Sequence, residues 1–281
     1  MNLNKCFATN NDCYKTGAKI TPKGVMVHST GANNPNLKRY VQPDDGKLGT
    51  HPHQNHFNVA KPDGRSVCVH AFIGKLADGS IATYQILPWD YRAWHCGSGN
   101  KGSGNNTHIS FEICEDGLTN KTYFNKVYKE AVELTAYLCD QYGLDPLEDG
   151  VVICHKEGSE RGIASGHGDV MHWFPKHGKD MNDFRADVLK TMNKAKVETA
   201  TKKETEKKET QKEDKNDGSK LVRITASVLN VRKGPSTAHL IAMTVKKGEI
   251  YTIVEEKNGW GKLKSGAGWI KLSYTTPYIK K

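Results

Sequence analysis

The side chains with the widest chemical reach in this 281-residue chain are imidazoles and carboxylates set at the ends of apolar runs. His28 closes VMVHST and His155 closes VVICHKE, while His167, Asp169, His172 and His177 crowd into SGHGDVMHWFPKHG. Zinc is commonly held by three imidazole or carboxylate ligands from separate elements, with a fourth position open, and strand ends mount such ligands rigidly. Any one of these histidines alone reads as a hydrogen-bonded structural side chain; the set leaves a metal site and structural roles both open. Glu112 lies in HISFEIC, where Ile109, Phe111 and Ile113 fall on one face and Ser110, Glu112 and Cys114 on the other. A carboxylate there needs a partner, because burying it alone is costly. Two accounts are open: an ion pair with a core Arg or Lys, or a general base for a water that a metal makes acidic.

Trp94 and His95 in YRAWHCGSG either plug a core edge or stand at the mouth of a cleft, where they suit sugar or peptide contact. Asn105 and Asn106 end the glycine-rich run GSGNKGSGNN, which reads as a surface loop or as a loop shaping a substrate groove. The run has no GxxxxGK[ST] or GxGxxG at a strand-to-helix junction, so a phosphate cradle is poorly supported.

Elements must hold these residues in place. GVMVHST, RSVCVHAFI, SIATYQIL, HISFEIC and DGVVICH read as strands. Phe124, Val127, Ala131, Leu134 and Leu138 repeat at helical spacing with Gly143 as a stop, and MNDFRADVLKTM predicts a second helix. Residues 1–192 are therefore expected to form an α/β domain, a mixed central sheet flanked by helices. Residues 193–219 repeat Lys, Glu and Thr without an aromatic and are expected to be a charged linker. Residues 220–281 hold short alternating runs punctuated by KGPS, KKGE, KNGW and SGAG, which predicts a small all-β barrel.

Charge separates the two folded parts. The net charge is +10, yet residues 220–281 carry twelve Lys or Arg against three acidic residues, and residues 1–192 balance to zero. Such a basic module is expected to meet an anionic polymer, with solubility alone as the plainer account. No run of about 18 apolar residues is present, so no membrane span is expected, and the start lacks the apolar stretch of a secretory signal. Seven cysteines without a CxxC pair read as reduced thiols of a protein made in the cytoplasm.

Taken in order, VMVHST, DGSIATYQILPWDYRAWHCGSGN, NNTHISFEICED and VICHKEG followed by HGDVMHW resemble the N-acetylmuramoyl-L-alanine amidases of the amidase-2 type, over roughly residues 20–190. That resemblance implies zinc ligands at His28, His155 and Asp169, a catalytic glutamate at Glu112 and an oxyanion-stabilising His167, while Trp94, His95, Asn105 and Asn106 stand as candidate substrate contacts on the reading of their own segments. The segment EGSERGIAS lengthens the usual gap before Asp169, and Val170 replaces a proline, which leaves His167, His172 and His177 as alternative third ligands. LNVRKGPS, KKGEIY, NGWGKL and GWIKLSY resemble a bacterial SH3 domain and imply binding to the cell wall. Together the resemblances imply a peptidoglycan amidase of the endolysin kind, made without a signal peptide and released to the wall through a holin or another non-classical route. The neighbouring alternative is a bacterial autolysin. A non-hydrolytic peptidoglycan binder would lack a ligand or the base. A nucleic-acid binder would display stacking aromatics, whereas Trp260, Trp269 and Tyr251 fall where a barrel core would place them.

Overall fold

The computed structural model describes residues 1–195 and 219–279, which divide into two compact units, Met1–Glu198 and Thr199–Lys281. The first unit is built on β1 (Leu3–Lys5), β2 (Gly24–Ser29), β3 (Ala71–Lys75), β4 (Ile81–Gln85), β5 (His108–Ile113) and β6 (Val152–Cys154). These lie in the order β1-β4-β3-β5-β2-β6, and only the β3–β4 hairpin is antiparallel. Its helices are α1 (Asp12–Thr16), α2 (Lys121–Tyr142), α3 (His155–Glu160) and α4 (residues 181–195).

The periodicities explain the two faces of the sheet. Val25 and Val27 of β2 sit beside Ile109 and Phe111 of β5, and all four are buried against α2 through Phe124, Val127, Ala131 and Leu134. Each such side chain taken from water contributes about 1.5–3 kcal/mol. α2 begins where the Asn120 side chain accepts from the Tyr123 N–H and ends at Gly143 in the left-handed region, φ 65°. The residues between, Met26 with Ser110 and His28 with Glu112, pair across the same two strands and face the other way.

RSVCVHAFI forms a strand only from Ala71 onward. Its first half gives its backbone groups to loops instead: the Cys68 N–H donates to Trp94 O, and Val67 O accepts from the Asn11 side chain. His70 ends that stretch with both ring nitrogens engaged, one by Tyr91 O at 2.8 Å and the other by the Ser110 N–H at 3.0 Å.

The second unit is an antiparallel seven-stranded sheet formed by β7 (Lys220–Ile224), β8 (Val228–Arg232), β9 (Ile241–Lys246), β10 (Ile250–Lys257), β11 (Trp260–Leu263), β12 (Trp269–Lys271) and β13 (Thr275–Pro277). Val222, Ile224, Val231, Ile253, Leu263 and Ile270 form its core. Trp260 and Trp269 are buried, and Tyr251 is partly buried against that core. Of the expected linker, residues 193–195 continue α4, and residues 196–218 lie outside the described residues. No helix among the described residues is long and apolar enough to cross a membrane.

Candidate metal and catalytic site

Three of the predicted residues converge at one end of the sheet. His28 comes from β2, His155 is the first residue of α3 directly after β6, and Asp169 comes from the loop that follows α3. His28 Nδ1 lies 3.1 Å from His155 Nδ1 and 3.3 Å from Asp169 Oδ2, and the last edge, His155 Nδ1 to Asp169 Oδ2, is 3.4 Å. Zinc bonds of about 2.0–2.1 Å place tetrahedral ligand atoms about 3.3 Å apart. The triangle therefore matches three corners of a zinc tetrahedron in both size and donor chemistry, and the residues present fit the metal.

Electrostatics agree with that fit. Burial alone would raise Asp169, but hydrogen bonds to His155 and His28 hold its carboxyl well below the usual range. Burial lowers His28 and outweighs the opposing pull of Asp169. Both imidazoles also have their second nitrogen occupied: His28 Nε2 meets His95 Nδ1 at 2.9 Å, and His155 Nε2 meets the Ser165 hydroxyl at 3.4 Å. Ser165 donates in turn to Cys96 O at 3.1 Å, so the loop carrying Asp169 is tied to the AWHCG turn. In that turn Gly97 holds φ 65°, and a Cβ there would stand 3.2 Å from the Ser165 hydroxyl.

Glu112 stands beside His28 in the sheet register, one strand spacing away, or about 4.8 Å. One of its oxygens is buried and has no hydrogen-bond partner among the described residues. Of the two accounts open for it, the core ion pair is not found among the described residues. Burial first, and the charges of Asp169 and Glu115 second, push its carboxyl well above the usual range. A carboxyl whose affinity for protons is raised in this way can take one up and pass it on.

All these groups line a cleft of about 660 Å³. Its walls also include Arg39, Tyr40, Arg65 and Trp94, with Tyr40 stacked on Phe72 at 5.0 Å. His167 is exposed on this cleft with its ring 4.6 Å from that of His155. His172 and His177 are engaged elsewhere, the first with Glu115 at 2.8 Å and the second with Leu118 O at 3.1 Å, stacked on Phe124.

Three expected substrate contacts have other work. Asn105 lines the cleft, but its Oδ1 accepts from the His95 and Cys96 N–H groups and its Nδ2 donates to Gly97 O, so its amide builds the turn. Asn106 lies outside the cleft lining and accepts from Arg92 Nε at 2.6 Å. His95 faces His28. Ser165, by contrast, is missing from the sequence reading: a small polar residue inside a glycine-rich insert gives no signal until the second nitrogen of His155 is seen to need a partner.

Comparison with known proteins places these features in a family. Residues 18–179 match the family model described as N-acetylmuramoyl-L-alanine amidase, and residues 227–276 match the bacterial SH3 domain. A curated relative, the N-acetylmuramoyl-L-alanine amidase CwlH of Bacillus subtilis (strain 168), is 30% identical over 114 residues, 41% of this chain. The chain spans 38% of that relative's length. Among solved structures, the Staphylococcus aureus hydrolase AmiA in complex with its ligand is 18% identical with a TM-score of 0.47, over 68% of this chain and 82% of that one. A mutant endolysin from Bacillus subtilis is 24% identical with a TM-score of 0.43, over 67% of this chain and 99% of that one. The family match alone covers more than half of the sequence and spans every element that contributes to the His28–His155–Asp169 triangle, so the chain belongs to the N-acetylmuramoyl-L-alanine amidase family and carries a bacterial SH3 domain behind it.

Proposed function

We propose that the protein hydrolyses the amide between the lactyl group of N-acetylmuramic acid and the L-alanine of the peptidoglycan stem peptide, with zinc held by His28, His155 and Asp169. The observation that carries this reading is the triangle of two imidazole nitrogens and one carboxylate oxygen at tetrahedral spacing, beside a buried carboxyl with an unpaired oxygen. When bound, zinc supplies a Lewis acid that polarises the scissile carbonyl and makes water acidic. Glu112 takes the proton from the attacking water and returns it to the leaving amine, and its raised affinity for protons suits both transfers. His167, exposed on the cleft, donates to the oxyanion that develops on the carbonyl. Trp94 offers a flat apolar wall for sugar or peptide. The basic second unit holds the enzyme on an anionic wall polymer, and the whole acts at the wall as an endolysin of a phage or prophage, after release by a holin or a comparable route.

The test is digestion of purified gram-positive peptidoglycan by zinc-loaded wild type and Glu112→Gln, with mass spectrometry of the products and metal analysis of both proteins. Free stem peptides beginning at L-alanine, released by the wild type and about 10²–10⁴-fold more slowly by a zinc-bearing variant, are the expected result. Intact glycopeptides from the wild type would leave a recognition protein, and new reducing sugar ends would mean a different bond is cut.

A further inference from the structure

An imidazole that accepts a metal must present a bare nitrogen to it, and this fixes where its remaining hydrogen sits. His28 turns Nδ1 toward His155 and Asp169, and Nε2 toward His95 Nδ1 at 2.9 Å. The two rings meet edge to face, with centroids 5.0 Å apart and planes at 79°, so this contact carries one hydrogen, donated in either direction. An imidazole that holds a metal is neutral, and a neutral ring carries a single N–H.

Two arrangements satisfy the contact. In the first, His28 carries its hydrogen on Nδ1 and donates it to Asp169, while His95 donates from Nδ1 to His28 Nε2. In the second, His28 donates from Nε2 to His95 Nδ1, and the hydrogen of His95 moves to its own Nε2. Only the second leaves His28 Nδ1 bare.

We propose that His95 is a positioning residue that holds His28 in its metal-accepting form, and that filling the site exchanges the tautomers of both rings together. The inference rests on the zinc reading above. Its particular support is the far side of His95, where Nε2 is buried with no hydrogen-bond partner among the described residues. Nothing there pins a hydrogen or requires its absence, so His95 follows His28 in either direction. His70 shows the contrary case, since Tyr91 O and the Ser110 N–H fix its tautomer from both sides. The exchange conserves the charge of each ring and keeps the buried Nε2 of His28 paired in both states.

The test uses the full chain with ¹⁵N-labelled histidine, comparing chelator-treated and zinc-loaded protein by long-range ¹H–¹⁵N NMR, together with zinc affinity by chelator competition. Expected are Nδ1–H forms of His28 and His95 without zinc and Nε2–H forms of both with it. His95→Ala is expected to weaken zinc about 10–100-fold. His95→Asn, whose amide can turn either its oxygen or its NH₂ toward His28 Nε2, is expected to restore most of that loss. A zinc-bearing wild type in which His95 keeps one tautomer throughout, or whose His95→Ala variant folds and binds zinc as tightly, overturns this inference alone. A wild type that takes up no zinc overturns the metal reading and this inference with it.

Discussion

The Glu112 carboxyl is pushed up by burial first and by the charges of Asp169 and Glu115 second. The folded protein therefore keeps a proton that the unfolded chain releases near the ordinary glutamate value of about 4.3. Between that pH and the raised folded value, stability falls as pH rises. Glu112→Gln removes the slope. In chelator-treated protein the variant is expected to melt above wild type at pH 7.5, by about 2–4 °C for each kcal/mol relieved. The two curves should meet by pH 4, and an equal gap at both pH values would show an unperturbed carboxyl. Ser165 makes a second prediction at this scale. Its hydroxyl is the only partner given to His155 Nε2 among the described residues, so Ser165→Ala should weaken zinc binding about 10-fold in a chelator titration. An unchanged affinity would remove Ser165 from the support of the site.

β5 carries two functions on opposite faces: Phe111 packs in the core under α2, and Glu112 lines the cleft. Phe111→Ala should cost about 3–5 kcal/mol in a urea melt while the folded fraction still binds zinc with wild-type stoichiometry. A full loss of zinc at unchanged stability would mean the two faces are not separable. The same alternation is why β5 was legible in sequence, and why β2, β6 and α2 were as well: periods of two and 3.6 run undisturbed through HISFEIC, VMVHST and the Phe124–Leu138 series. Legibility ended where side chains replace the ladder as the organising force. RSVCVH alternates like a strand but is shaped by Asn11 and Trp94 from distant segments, and β1 is three residues long, too short to show a period. Asn105 and His95 stand in segments that suit substrate contact, yet each meets a neighbour inside the protein. Composition shows that a polar side chain needs a partner and is silent on whether that partner is a ligand.

At the level of the whole chain, the two units differ in charge. The catalytic unit has few uncompensated bases, whereas the SH3 unit sets Lys262 over Trp269 and Lys271 over Trp260 and concentrates the excess of positive charge. If that charge governs wall attachment, salt will govern it too, since screening shortens to about 3 Å at 1 M. Full-length protein bound to teichoic-acid-bearing sacculi at 50 mM salt should be released at 500 mM, and sacculi stripped of the polymer should bind it weakly at either concentration. Retention at high salt would point to an uncharged ligand. Tolerance to changes of length will be uneven along the same chain. His28 and Glu112 are neighbours across a backbone hydrogen-bond ladder, so the rungs between two strands set their separation. A single residue inserted into β5 before Glu112 would turn the carboxyl to the helix side and bring an apolar residue into the cleft. The loop that delivers Asp169 lies outside that ladder and is tied at Ser165 to Cys96 instead, so natural variation in length in this family should gather between the helix start at His155 and Ser165, leaving the lengths of β2 and β5 untouched.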